Sequence, residues 1–245
     1  PIDVGARRWD IETDNSRLLA GLRGNAGDWE WETAVQKARS ESTQNGTQGW
    51  LRSDKLQTAI NNNTYRVFGG VLNGQDAVDS VSTHVVRQGE SHLTSWDASI
   101  SGPLMEMGNG TLSMAAGVEW REEDAIDTPD QQFIDGLIPG TEAISAQGDR
   151  DQKAAYVEFA VPLWERAEMQ LAGRYDNYSD FGSTFNPKVG LRWQPIDELT
   201  LRGSWGTGFR APSLAQIGLG PSQESQFAKD SYLCIDQGID PSSSA

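Results

Sequence analysis

The side chains able to do chemistry are few in this 245-residue chain, and their spacing fits no bond-making constellation. His84 and His92 are the two histidines, and no motif sets a Ser and an Asp around either to form a nucleophilic triad. Glu122, Glu123, Asp124, Asp127, Asp130 and Asp135 crowd one acidic stretch. They lack the ligand spacing of an EF-hand, so a solvated outer loop is expected there, with calcium held only through some other geometry. A glycosidase would need two carboxyls at a set separation, which a sequence does not display. The lone Cys234 excludes a disulfide within the chain and has no Cys or His at metal-ligand spacing; a disulfide partner beyond Ala245 is expected. What remains is binding chemistry. Arg174, Asp176, Lys188, Arg192 and Arg202 occupy the polar positions of alternating runs, and Phe209 and Arg210 stand just before Pro212.

Composition narrows the partners. Asp and Glu outnumber Lys and Arg 35 to 20, a net charge of -15, and no basic cluster suits nucleic-acid phosphates. The 26 glycines and 9 tryptophans suit tight turns together with amphipathic rings at a water–hydrocarbon boundary. They suit a sugar-binding β-protein equally. No run approaches the roughly 18 apolar residues of a membrane helix, and the mean hydropathy is -0.54. Strands of a membrane barrel alternate lipid-facing and lumen-facing residues, so window averages cancel and such a barrel stays open as a reading. Pro1 opens without a signal sequence and the chain closes in polar residues; both ends are expected to be cuts in a longer chain.

The elements that would position these side chains are mostly strands. Helical spacing is confined to residues 53–61 (SDKLQTAIN), a loop helix with Ser53 as its expected cap. Elsewhere alternation runs for about ten residues between Gly, Pro, Asn and Asp. Residues 16–24 set Leu18, Ala20 and Leu22 against Arg17, Gly21 and Arg23. Residues 29–39 set Trp29, Trp31, Thr33 and Val35 against Glu30, Glu32 and Gln36, and residues 4–13 add an earlier strand across Asp14 and Asn15. The cleanest case is 111–123, with Leu112, Met114, Ala116, Val118 and Trp120 opposite Ser113, Glu119 and Arg121. Residues 93–102, 153–161, 169–176, 188–194 and 199–206 follow the same rule. This gives about nine strands near the length a tilted membrane strand needs. Connections at 25–28, 103–109, 162–168 and 195–198 are short; those at 43–92, 124–151, 177–187 and after 207 are longer. Short turns at one rim and long loops at the other describe an up-and-down outer-membrane barrel, with the long loops outside. Trp29, Trp31, Trp164 and Trp193 beside the short turns, and Trp96, Trp120 and Trp205 beside the long loops, trace two belts.

Five segments together resemble one family. GSWGTGFRAPSLAQI at 203–217, AAGVEWREE at 115–123, AYVEFAVPL at 155–163, AGRYDNYSDF at 172–181 and NPKVGLRWQP at 186–195 resemble the barrel of TonB-dependent receptors. The resemblance covers most of 90–217. It implies an all-β, antiparallel up-and-down transmembrane barrel segment, part of a 22-stranded barrel, with residues 1–245 as a partial barrel domain. It also implies energised import of a scarce nutrient, whether siderophore, cobalamin, sugar or peptide. The partners implied are outer-membrane lipid, the protein's own plug domain, TonB and a small-molecule ligand; no cofactor, metal or catalysis is implied. Nothing in the chain resembles the plug or the energy-coupling box, and open sheet edges cannot face lipid, so the segment is not expected to insert alone. Within this reading Arg174, Asp176, Lys188, Arg192 and Arg202 line the lumen and dock the plug or touch substrate, and Phe209 and Arg210 contribute to ligand capture at the outer rim. A soluble carbohydrate-binding β-sandwich, an acidic glycoside hydrolase and a non-energised porin are the competing readings.

Overall fold

A computed structural model describes residues 2–67, 72–140 and 145–218. Eight antiparallel strands form one sheet in sequence order: β1 (Arg8–Ala26), β2 (Trp29–Gln48), β3 (Val85–Met107), β4 (Gly110–Thr128), β5 (Ala146–Trp164), β6 (Ala167–Tyr178), β7 (Gly182–Ile196) and β8 (Leu199–Gly206). Helices α1 (Ser53–Asn61) and α2 (Gln75–Val81) lie between β2 and β3, α3 (Gln131–Ile134) lies between β4 and β5, and α4 (Leu214–Ile217) follows β8. No described helix is long and apolar enough to cross a membrane. Every strand pairs only with its sequence neighbours, so the sheet is up-and-down, and the competing sandwich with Greek-key connections is not what forms.

The register joins the alternating runs into two continuous faces, because directly opposed residues share a face. One row reads Trp31, Ile100, Ala116, Val157, Gly173 and Pro187 across β2 to β7. The next reads Met114, Phe159, Leu171, Val189 and Trp205. On the opposite face Glu32, Ser99, Gly117, Tyr156, Arg174 and Asn186 stand in one line. Leu18 is 73% exposed and Trp205 63%, so no protein layer covers the apolar face. Lipid is the solvent that such a face requires.

Four expectations are corrected. The strands number eight because residues 4–13 and 16–24 belong to one strand: Asp14 and Asn15 pair straight through with Glu41 and Ser40. Asp and Asn favour turns but do not force them, and neither Gly nor Pro accompanies them here. The long connections are also shorter than expected, spanning 49–84 and 129–145, because β1 to β5 reach 19 to 23 residues. A membrane needs only about half that length. The remainder stands above the lipid, largely polar on both faces, where hydrogen-bonded ladders persist but period-two patterning fades. The connection between β6 and β7 is a tight turn at 179–181 rather than a long loop. Finally, α1 has its expected bounds, but its N-cap is Arg52, and Ser53 is the first helical residue. The Arg52 guanidinium donates to Asp54, and that hydrogen bond holds the Asp54 carboxyl down at about 2.

The apolar core lies in the loops. Val4, Leu51, Ala59, Tyr65, Val78 and Val81 form one cluster with Leu56 and Ala77 against it. Trp50, Val85 and Ile138 form a second, with Trp9 and Phe133. The N-terminal segment, the 49–84 loop and the 129–140 loop thus pack into a cap at the outer rim of β1 to β4.

Candidate functional site on the lumenal face

The polar face carries an ordered charge network at mid-wall. Arg174 on β6 donates from both terminal nitrogens to Glu119 on β4, at 3.0 and 2.6 Å, and from Nε to Asp176 at 3.0 Å. Asp176 is 4% exposed, a burial tolerable for a carboxylate because Arg174 and the Gln152 amide, at 3.1 Å, both donate to it. The network crosses three strands because Glu119, Ala154 and Asp176 share one row, with Arg174 in the adjacent row. Between them the Tyr156 ring lies over Gly117, where a Cβ would come within 2.5 Å of it; only glycine admits the ring. Arg121 donates to Glu123 at 3.3 Å nearer the rim.

Above this network a strap folds inward. After β8 the chain leaves the sheet, and residues 207–218 turn back over the lumenal face to β5. Arg150, 6% exposed, holds it: its guanidinium donates to the Asp180 carboxylate at 2.7 and 2.9 Å and to the Pro212 carbonyl at 2.8 Å. The same cation lies over Phe181 and Tyr178, at 5.2 and 5.7 Å from their ring centres. Phe209 closes that aromatic group against Phe181 at 5.3 Å and Tyr178 at 6.0 Å. Ser213 and Gln216 cap α4 reciprocally, and the Gln147 amide donates to the Gly218 carbonyl. Beneath the strap opens a cleft of about 600 Å³ whose lining includes Arg17, Leu93, Glu123, Arg150, Arg210 and Leu214.

Of the residues singled out from sequence, Arg174 and Asp176 meet directly, and Phe209 and Arg210 sit in the strap. Lys188, Arg192 and Arg202 gather lower on β7 and β8 around a separate shelf. The acidic stretch dissolves as a loop: Glu122 to Asp127 lie in β4, Asp127 pairs with Arg87, and Asp124 faces the His92 ring at 2.9 Å. Asp130 caps α3 and accepts from the Val86 amide. Among the described residues no three His, Cys, Asp or Glu side chains are placed to hold a metal. Cys234 lies outside the described residues. Glu119, Arg150, Asp180, Tyr178 and Phe181 belong to the site as well, although no motif singles them out. Arg150 lies in a polar stretch of β5 that has no alternation to mark it as strand, whereas Tyr178 and Phe181 stand within the AGRYDNYSDF run itself.

Residues 3–238 match the model of the family described as TonB dependent receptor-like, beta-barrel. The chain belongs to this family. Among relatives of the TonB-dependent receptor segment, the vitamin B12 transporter BtuB of Vibrio cholerae serotype O1 is 30% identical over 109 residues, 44% of this chain and 15% of that protein. The probable TonB-dependent siderophore receptor PirA of Acinetobacter baumannii is 26% identical over 111 residues, 42% of this chain and 14% of that one. The crystal structure of PirA superposes with a TM-score of 0.52 at 15% identity, over 82% of this chain and 26% of PirA, a likeness of fold. The segment therefore corresponds to a fraction of the length of the receptors it matches. Its apolar exterior and polar interior are those of an outer-membrane β-barrel wall.

Proposed function

We propose that residues 1–245 are part of the barrel of an energised outer-membrane importer, whose chemistry is ligand capture and passage rather than bond making. In this reading a separate plug domain fills the lumen, TonB supplies the work that displaces it, and a scarce nutrient enters from the outer rim. Two of the relatives carry vitamin B12 and siderophore in their names; the ligand here belongs to that class of scarce small molecules, and the outer loops and plug together select it. The observation that supports the reading is the strap: a lumen-facing cleft large enough for a small molecule, lined in part by Arg210 of the strap, with Phe209 packed beside it on Tyr178 and Phe181.

The test uses the full-length protein in cells lacking other importers, with radiolabelled cobalamin and ferric siderophores as probes. Uptake of one probe is expected to require TonB, and the double variant Phe209→Ala/Arg210→Ala is expected to weaken its binding about tenfold, the loss of roughly 1.4 kcal/mol. Uptake that persists without TonB would favour the porin, and a full-length protein that folds in aqueous buffer without detergent or lipid would end the membrane reading altogether.

A further inference from the structure

The mid-wall charge network and the latch that holds the strap share one side chain. Gln152 on β5 is the register partner of Tyr178, one lumenal row nearer the rim than Asp176. Its amide nitrogen donates to the Asp176 carboxylate at 3.1 Å and to the Tyr178 hydroxyl at 3.3 Å. Below it lie Arg174 and Glu119, both about a third exposed to the lumen. Above it, the Tyr178 ring stacks on Phe181 at 4.4 Å, meets Phe209 of the strap and lies under the Arg150 cation, which itself holds the Pro212 carbonyl. Direct contacts therefore run unbroken from Glu119 on β4 to Pro212 in the strap. A second link is weaker: the Thr207 hydroxyl at the start of the strap stands 3.5 Å from the side-chain oxygen of Asn186, the register partner of Arg174.

The amide serves two acceptors of unequal demand. While Arg174 donates to the buried Asp176 carboxylate, little more is needed from Gln152. Without Arg174, Gln152 is the one donor left to Asp176 among the described residues, and a hydrogen bond to an ionised group is about twice as strong as a neutral one. The amide then turns to Asp176, Tyr178 loses its tie, and the ring loosens beneath Arg150 and Phe209. Loss of Glu119 acts in the opposite sense: Arg174 then serves Asp176 alone, and the amide is left to Tyr178.

We infer that Gln152 couples the strap to the mid-wall charges, so that the strap is held or released according to whether Arg174 is engaged with Asp176. An anion in the lumen that draws Arg174 away loosens the strap beside the cleft. By reciprocity, a ligand that shifts the strap changes how firmly Arg174 is held. The use of this coupling in ligand capture rests on the importer reading; the coupling itself is a property of the wall.

Amide hydrogen exchange in the full-length protein, in outer-membrane vesicles, reads the strap through α4 and through Gln147, whose N–H donates to the Gly218 carbonyl. Arg174→Gln is expected to speed exchange there about fivefold, the lower end of ordinary coupling between sites. Glu119→Gln is expected to leave it no faster, although it breaks the same salt bridge. In a Gln152→Ala background, where the strap already exchanges faster, Arg174→Gln is expected to add nothing. Each variant is checked for a folded barrel by heat-modifiable migration. Where Arg174→Gln alone does not fold, Glu119→Gln/Arg174→Gln, which leaves no uncompensated glutamate, takes its place with the same expected acceleration. Equal acceleration by Arg174→Gln and Glu119→Gln would mean a general loosening of the wall and overturn the inference. An unchanged strap in the Arg174 variant would overturn it too, as would an Arg174 effect that persists without the Gln152 amide, since the Asn186 contact or the backbone would then carry it. Uptake that proves independent of TonB is a different result: it removes the importer reading and leaves these exchange rates as they are.

Discussion

In the wall, Leu22, Val157, Leu171 and Trp205 turn outward with no protein over them; in the cap, Trp50, Val81 and Val85 are 2% exposed or less. The two regions use the same side-chain types against different solvents. The wall takes its apolar environment from lipid and its rigidity from ladder hydrogen bonds and the Glu119–Arg174–Asp176 network. The cap, standing in water, must supply its own apolar environment. It does so by pulling three separate chain segments onto Trp50, which meets Trp9 edge-on at 4.7 Å and Phe133 at 5.7 Å, with the Arg7 cation 4.8 Å from its ring centre. The cap is thus a small soluble core built on a membrane scaffold.

The substitution expected to separate them most is Trp50→Ala, which should destabilise the cap by about 4 kcal/mol, as core aromatics do. Amide exchange across 49–84 should accelerate while protection of β4 to β7 stays unchanged. If wall protection falls in step, cap and wall are one cooperative unit and the comparison fails. A smaller effect tests the wall's two faces. Val157→Arg, near the middle of the apolar face, should cost about 3 kcal/mol in lipid vesicles, while Ser99→Arg on the lumenal face should stay within about 0.5 kcal/mol. Equal costs in reversible denaturant titrations would mean that the exterior face is not a lipid face.

What could be read from sequence follows the same division. The wall was legible wherever lipid imposes alternation: Leu112 to Trp120 and Val157 to Val161 were placed on their correct face by period alone. Legibility stopped where the strands rise out of the membrane, because at Glu41, Glu90 and Asp124 both faces meet water and the period carries no signal. The cap was legible only as the helix over 53–61. Its core joins Val4, Tyr65 and Val81, residues brought together by tertiary packing that no local pattern encodes. The strap shows the same limit, since Arg150 reaches Pro212 across 62 residues. Lys188, Arg192 and Arg202 were placed on the polar face by alternation, but that Arg192 and Arg202 face each other is a fact of register.

Within the wall, Arg174→Gln should cost about 2 kcal/mol. Breaking a buried pair costs more, but Arg174 is about a third exposed, so part of its attraction is screened by water. The variant leaves Glu119 and the buried Asp176 near each other without the cation between them. Adding Glu119→Gln should recover part of the loss; no recovery would show that the network is not an electrostatic unit. Measured by denaturant midpoint in vesicles, this effect should leave exchange in the cap untouched.

The smallest effect belongs to the cap and is read through pH. The Tyr65 hydroxyl, on a buried ring, donates to Asp3 at 2.8 Å, and the Asn73 amide donates to the other Asp3 oxygen. Burial, with the Asp3 carboxylate beside it, pushes Tyr65 up to about 12 from an ordinary value of 10.0. Burial pushes Asp3 up as well, but the hydrogen bonds from Asn73 and Tyr65 outweigh it and leave that carboxyl below its ordinary 3.8. The signs follow from linkage. The contribution of Tyr65 is complete below pH 10.0 and fades as pH rises through about 12. That of Asp3 is complete above pH 3.8 and fades as pH falls through its lower folded value. Tyr65→Phe should cost the cap about 1 kcal/mol near neutrality, one hydrogen bond, and abolish the alkaline loss while the acid one persists through Asn73. Amide exchange in 49–84, followed against pH in both proteins, checks this. An alkaline loss of equal size in the variant would assign that transition to some other group and leave Tyr65 as packing alone.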